Sequence, residues 1–189
     1  MDIIKLLDVG FDWTGRRVAA VRPEHWPLDT PCDEWTVRQL LNHMLGAMDV
    51  ITSTVAGQAW PEGVNAQTLA ETDRIGRDPA AAFAEIAQRA LAVWHTPGVL
   101  ERTCGLRGVP TPAITAAQLS LTDAVVHGWD IAQATGENAD IPDELAEPLL
   151  DIDRTLIHEG LRGTVFADEV HIEVGSASDR LVAFLGRTP

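Results

Sequence analysis

Residues 115–136 read TAAQLSLTDAVVHGWDIAQATG, and on this stretch rests the choice between a helical chain and a mixed one. TAAQ has the form of a capping box, with Thr115 accepting from the third helical amide and Gln118 reaching back. Gly136 supplies a left-handed stop. Between these ends runs an apolar helical segment in which an acid and a histidine, Asp123 and His127, stand four apart. On a helix that spacing puts their Cβ atoms about 5 to 6 Å apart, close enough to reach one ion together. The same pair would also serve as an ion pair on the wet edge of a surface helix, so the rest of the chain has to decide.

Helical periodicity extends outward in both directions. Ile3, Leu6, Leu7, Phe11, Thr14, Val18 and Val21 recur at spacings of three and four and mark a first helix, Ile3 to Val21. Pro23, Pro27 and Pro31 make the connector after it non-helical. A second helix opens with the capping box TVRQ at Thr36 and runs to about Val55. Asp78 followed by Pro79 opens a third, ending near His95. The segment from His95 to Thr115 is dense in Gly and Pro and reads as a crossover or a flap over a site. A fifth helix follows IPDE to about Gly160, VHIEV alternates like a short extended piece, and DRLVAFLG reads as a last short helix. The expected fold is all-α, a four-helix core with a carboxy-terminal helix and tail, and residues 1–189 form one domain.

Composition narrows the function. A chain of 189 residues with 46% hydrophobic and 22% charged residues is globular, and no apolar run approaches the roughly 20 residues that span a membrane. The 28 acidic residues against 14 basic ones give a net charge of -14, which repels phosphate backbones and anionic lipid heads, so neither nucleic acid nor membrane is an expected partner. No export signal is visible in the first residues, and Cys32 and Cys104 form no CxxC pair, which points to the cytoplasm. For oligomeric state there is only the general prior for a homodimer.

Two ligands do not hold an ion tightly, and a third should come from a neighbouring helix. His43, in LLNHML at the middle of the second helix, is best placed. Gly46 and Ala47 lie beside it, and Ala116, Ser120 and Ala134 share the face of Asp123 and His127, so small residues flank both polar groups as they would in a cavity between helices. Two histidines and a carboxylate suit zinc, and also nickel, iron or manganese, with a coordination position left for water or substrate. A separation of His43 from His127 above about 8 Å would rule out joint coordination at bonds of roughly 2 Å.

TPCDEWTVRQLLNHMLG (30–46), LTDAVVHGWDIAQATG (121–136) and the tail DRLVAFLGR (179–187) together resemble the actinobacterial branch of the DinB-like superfamily that includes the metal-binding domain of mycothiol-dependent maleylpyruvate isomerases. The resemblance implies a DinB-type four-helix bundle and a divalent metal, zinc first, held by His43, Asp123 and His127. It also implies a metal-dependent transferase or isomerase that uses a small-molecule thiol such as mycothiol as cosubstrate and acts on a small electrophile. Isomerase-type members have glutamate where Asp123 stands and continue into a further carboxy-terminal domain, so the resemblance bears on scaffold and metal more than on substrate. A non-catalytic metal- or ligand-binding bundle, and a helical interaction module without metal, are the other readings.

Several residues have a plainer reading beside the functional one. Asp130 could accept a hydrogen bond from a histidine ligand or lie in solvent. Trp35 and Trp129 could line a pocket but read first as core. Cys32 reads as structural, since no base is paired with it in sequence. Asn42 points away from His43's face, and His95 suits a helix end. His25, His158 and His171 are substitute ligands, and the serines lack a nucleophile-elbow setting.

Overall fold

The computed structural model describes residues 1–32, 35–157, 162–163 and 166–189. Helix α1 (Ile3–Ala19) starts at Asp2, whose carboxylate accepts from the Lys5 amide at 3.0 Å. In α2 (Val37–Val55) the Thr36 capping box forms as read, with Gln39 Oε1 accepting from the Thr36 amide at 3.1 Å. Asp78 caps α4 (Pro79–Trp94) through the Ala81 amide at 3.0 Å. These three pack with α5 (Ala113–Thr135), α1 and α2 each lying against both α4 and α5. Their shared interior holds Leu7, Leu40, Leu41, Met44, Leu45, Met48, Leu121 and Val125, all fully buried. At about 25 cal/mol for each Å² of apolar surface removed from water, this interior dominates the stability of the bundle. Helices α6 (Asp143–Leu156) and α7 (Ala177–Phe184) pack on one another beside it. None of the described helices is long and apolar enough to cross a membrane.

The seam between α1 and α5 sets the position of the decisive stretch. Thr14 Oγ1 donates to the Ala124 carbonyl at 3.0 Å. A Cβ on Gly128 would come within 2.9 Å of Trp13 and 3.1 Å of Thr14, so α5 lies on α1 at a distance only glycine permits there. Gly136 closes α5 at φ 71°, as expected of a left-handed stop.

Four expectations are corrected. First, α5 begins at Ala113, two residues before Thr115, so TAAQ lies in its opening turns and Pro112 occupies the cap without a side-chain bond. The strand before it sets the start: the Ala113 amide donates to the Arg102 carbonyl at 2.9 Å, carrying the preceding pairing into the helix.

Second, the segment read as a crossover or flap contains an antiparallel hairpin, β1 (Thr103–Leu106) and β2 (Val109–Pro112), registered Thr103 to Pro112 and Leu106 to Val109. Its two-residue turn has positive φ at both Arg107 (51°) and Gly108 (77°), the type I′ geometry that matches strand twist. Pro110 and Pro112 disguise β2, because proline is tolerated only on an edge strand such as this one. The fold is helical with this one small sheet among the described residues.

Third, VHIEV forms no strand; Val170 donates to the Ala183 carbonyl at 2.9 Å and lies along α7. The expected run of the fifth helix toward Gly160 stops at Leu156, and its last positions fall outside the described residues.

Fourth, a short helix α3 (Ala66–Glu71) packs on α2 through Leu69, which meets Ala47 and Val50. A Cβ on Gly46 would come within 2.8 Å of Leu69 and 3.1 Å of Arg74. The small residues beside His43 therefore seat α3 and do not open a cavity.

Candidate metal centre

The three residues picked from the sequence meet at one point from two helices. His43 lies in mid α2 and is 9% exposed; Asp123 and His127 lie in mid α5, with His127 8% exposed. His43 Nε2 is 3.4 Å from Asp123 Oδ1, and His127 Nε2 is 3.6 Å from the same oxygen. The two rings stand nearly perpendicular with centroids 5.3 Å apart, well inside the 8 Å bound.

The far side of each ring is anchored. His43 Nδ1–H donates to the Ala66 carbonyl of α3 at 3.4 Å, and His127 Nδ1–H donates to Asp130 Oδ2 at 3.0 Å. With Nδ1 of both rings turned to these acceptors, Nε2 of each faces Asp123 and the shared space, where it would be free to ligate a cation that displaced its proton. Trp35 stacks on His43 at 4.5 Å between centroids and meets His127 edge-on at 6.4 Å, so it closes one side of the site.

Asp130 is fully buried and belongs to a pair that sequence reasoning missed. Arg187, in the tail beyond α7, grips it with two bonds, Nε to Oδ1 at 3.2 Å and Nη2 to Oδ2 at 2.9 Å. The only signal for Arg187 was the resemblance of the tail DRLVAFLGR. Burial pushes the Asp130 carboxyl up, but the His127 hydrogen bond and the Arg187 guanidinium outweigh it and hold the group below the usual carboxylate range. Cys32 was also missed: its sulfur lies within 4.8 Å of ligand atoms of His127 and Asp130. Its place in the connector before α2, distant in sequence from both, gave no hint of that.

Electrostatics within the trio are strongly coupled. Burial pushes Asp123 up while His127 and His43 pull it below its ordinary value. For His43, burial favours the neutral ring, and the Asp123 carboxylate overcomes that and holds the imidazole above the ordinary histidine range. Asp123 Oδ2 is buried without a hydrogen-bond partner among the described residues. A buried carboxylate oxygen left unpaired is costly unless something else satisfies it. Three donors about 2 Å from one tetrahedral ion stand about 3.3 Å apart, and the observed 3.4 and 3.6 Å come close to that spacing. The donor set, its spacing and the orphaned oxygen fit a divalent cation.

The other candidates have ordinary roles. Asn42 Oδ1 accepts from the Arg74 amide at 2.9 Å, His25 Nδ1 accepts from the Arg22 amide at 3.2 Å, and His95 lies 2.9 Å from Asp8. Trp129 is core and His171 is exposed, while His158 lies outside the described residues.

The model of the mycothiol maleylpyruvate isomerase N-terminal domain family matches residues 10–132, a span that contains His43, Asp123 and His127. The chain belongs to this family. It is also 32% identical over 178 residues to a protein of Mycobacterium tuberculosis strain CDC 1551 / Oshkosh, described as uncharacterized, with 90% of each chain covered. The protein of strain ATCC 25618 / H37Rv matches to the same extent, 32% over 178 residues.

Among solved structures, the mycothiol-dependent maleylpyruvate isomerase superposes with a TM-score of 0.57 at 14% identity. A histidine-to-alanine mutant of that isomerase gives 0.60 at 13%. In both cases 78% of this chain is covered and 66% of the isomerase chain. At such identity the likeness establishes the shared DinB-like bundle.

Proposed function

We propose that this family member is a metal-dependent thiol transferase or isomerase in which His43, Asp123 and His127 hold a divalent cation, zinc before nickel, iron or manganese. The observation that carries the reading is the convergence of two outward-anchored imidazoles on one carboxylate oxygen, at 3.4 and 3.6 Å. The cosubstrate is a low-molecular-weight thiol of the mycothiol type, supported by the family match, and the second substrate is a small electrophile.

Such an ion would supply a Lewis acid that lowers the pKa of a thiol reaching it, making the nucleophile available at neutral pH. The remaining work falls to the chain. Asp123 contributes the negative charge that favours a cation over a proton between the two rings. Asp130 holds the proton on His127 Nδ1 and so keeps Nε2 free, while Arg187 keeps Asp130 ionised in its buried position. Trp35 shields the His43 side from water.

Elemental analysis of the purified protein tests the site: about one ion per chain in the wild type and loss of it in His43→Ala, Asp123→Ala and His127→Ala. Full occupancy in all three variants would refute the assignment. Thiol consumption with a panel of electrophiles, abolished by chelation, separates an enzyme from a bundle that binds an ion without turnover.

A further inference from the structure

The connector that leads into α2 brings one residue to each imidazole of the centre. Trp35 stacks on His43 at 4.5 Å, and Cys32 sets its sulfur within 4.8 Å of donor atoms of both His127 and Asp130. Thr30, buried in the same connector, fixes the turn between them. Its hydroxyl donates to the Cys32 carbonyl at 3.1 Å and to the Trp35 carbonyl at 2.8 Å, and the Trp35 amide donates to the Cys32 carbonyl at 3.0 Å. Cys32 is half-buried, so its residue is partly open to solvent. Two groups of three possible ligands occur among the described residues, His43–Asp123–His127 and Cys32–His127–Asp130, and they share only His127.

The two groups differ in donor chemistry. The first offers two nitrogens and an oxygen, the second a sulfur, a nitrogen and an oxygen, and thiolate sulfur selects soft cations. Asp130 Oδ2 meets His127 at Nδ1, 3.0 Å away, whereas Asp123 Oδ1 faces Nε2 at 3.6 Å, so the second group gathers on the opposite nitrogen of the ring. Thiolate and imidazole on opposite sides of one ion stand about 4.3 Å apart at ordinary metal–ligand bond lengths, a span inside the 4.8 Å bound. Asp130 is committed to Arg187 by two bonds, so it acts here as a charge. Charge then chooses between cations. Asp130 and Arg187 cancel, His127 is neutral and a Cys32 thiolate carries one negative charge. A monovalent ion therefore leaves this pocket neutral, while a divalent ion leaves an extra positive charge beside Arg187.

We propose that Cys32 and His127 Nδ1 form a second metal site, for a soft monovalent cation of the copper(I) or silver(I) class, which excludes the ion of the trio. A neutral imidazole has one nitrogen lone pair to give. When the soft ion takes Nδ1, that nitrogen's proton moves to Nε2 and the thiol proton leaves to solvent, so Nε2 donates toward Asp123 and no longer ligates. The exclusion rests on the reading of the trio as a cation centre; the second site does not.

Copper(I), buffered by a chromophoric chelator in the absence of oxygen, is titrated into metal-free wild type, Cys32→Ser, Cys104→Ser and His43→Ala. Cys104 is the control thiol, buried in the hairpin with its Sγ donating to the Thr111 carbonyl at 3.4 Å. The expected result is about one copper per chain in wild type, Cys104→Ser and His43→Ala, and an affinity lower by about 100-fold or more in Cys32→Ser. X-ray absorption of copper-loaded wild type should show one sulfur and one imidazole nitrogen, a readout that does not depend on how any variant folds. No copper uptake by the wild type, uptake unchanged in Cys32→Ser, a copper shell without sulfur, or copper lost from His43→Ala would each overturn the second site. Copper should also expel zinc from the zinc-loaded wild type, and both metals bound together at full stoichiometry would overturn the exclusion. Failure of the wild type to take up zinc would overturn the reading of the trio and the exclusion with it, while the copper titration still decides the second site.

Discussion

His127 Nδ1 and Asp130 Oδ2 are 3.0 Å apart, and the same carboxylate is gripped from its other side by Arg187, so one buried acid ties the chain's tail to the imidazole at the centre of α5. Removing one member of such a pair leaves an uncompensated buried charge and costs about 3 to 5 kcal/mol. Arg187→Met and Asp130→Asn should each lower stability, and the double variant should lose less than the sum, by a margin readable in urea unfolding. Zinc affinity, measured against a chromophoric chelator, should fall about 10- to 100-fold whenever Asp130 is changed, since the ring loses the partner that orients it. Unchanged zinc affinity in Asp130→Asn would show that His127 is held by packing alone.

The bundle and the trio were legible in the sequence because both are written in local signals. Three-four spacing marked α1, the Thr36 capping box α2 and the Asp78–Pro79 start α4, each to within a few residues, and the four-residue step from Asp123 to His127 placed both on one face of a helix. What escaped depends on contacts distant in sequence. Arg187 meets Asp130 across 57 positions, and no spacing rule connects them. The hairpin escaped because its prolines read as loop, and α3 because six residues are too few for periodicity to show. Gly46 was misread for a related reason: a small residue on a helix face signals close approach, but what approaches is decided elsewhere in the chain.

Gly128, next to His127, should not tolerate alanine. The roughly 1 kcal/mol that alanine gains over glycine within a helix is outweighed by an overpacking cost of about 1 to 3 kcal/mol where the new methyl would meet Trp13 at 2.9 Å and Thr14 at 3.1 Å. Gly128→Ala should lower the Tm and, by displacing α5 from α1, weaken zinc binding as well. Gly105→Ala, where a Cβ would meet nothing within 4 Å, is the control and should leave zinc binding alone.

Asp153 predicts a stability that depends on pH. It lies on α6, 1% exposed, accepting from Thr122 Oγ1 at 2.6 Å, while its Oδ2 has no hydrogen-bond partner among the described residues. Burial pushes its pKa from 3.8 up to about 7, against the Thr122 hydrogen bond and the charge of Arg162. Between those values the folded chain holds a proton that the unfolded chain releases, so its contribution to stability falls as pH rises, by about 1.4 kcal/mol per unit, and levels off above the folded value. Asp153→Asn keeps an acceptor for Thr122 and cannot ionise. Its stability relative to wild type, from urea unfolding at stepped pH, should therefore improve from about pH 4 to pH 8. A difference that does not change with pH would mean that Asp153 ionises normally in the folded chain.

Asp123 offers the sharpest test of the centre, because its length and its charge can be varied separately. The carboxylate reaches 3.4 Å from His43 Nε2 and 3.6 Å from His127 Nε2 on a helix held against α1 by Thr14 and Gly128, so the backbone cannot readily withdraw to admit a longer side chain. Asp123→Glu keeps the charge but adds a methylene that must fold back to present its oxygen, and zinc should still bind, about ten-fold more weakly. Asp123→Asn keeps the length and loses the charge that favours a cation between two imidazoles, and zinc should fall below stoichiometric occupancy in elemental analysis. If the asparagine variant retains zinc as well as the glutamate variant does, the carboxylate is a neighbour of the ion and not a ligand, and the two histidines would need a different third donor, for which Cys32 is the residue within reach of His127.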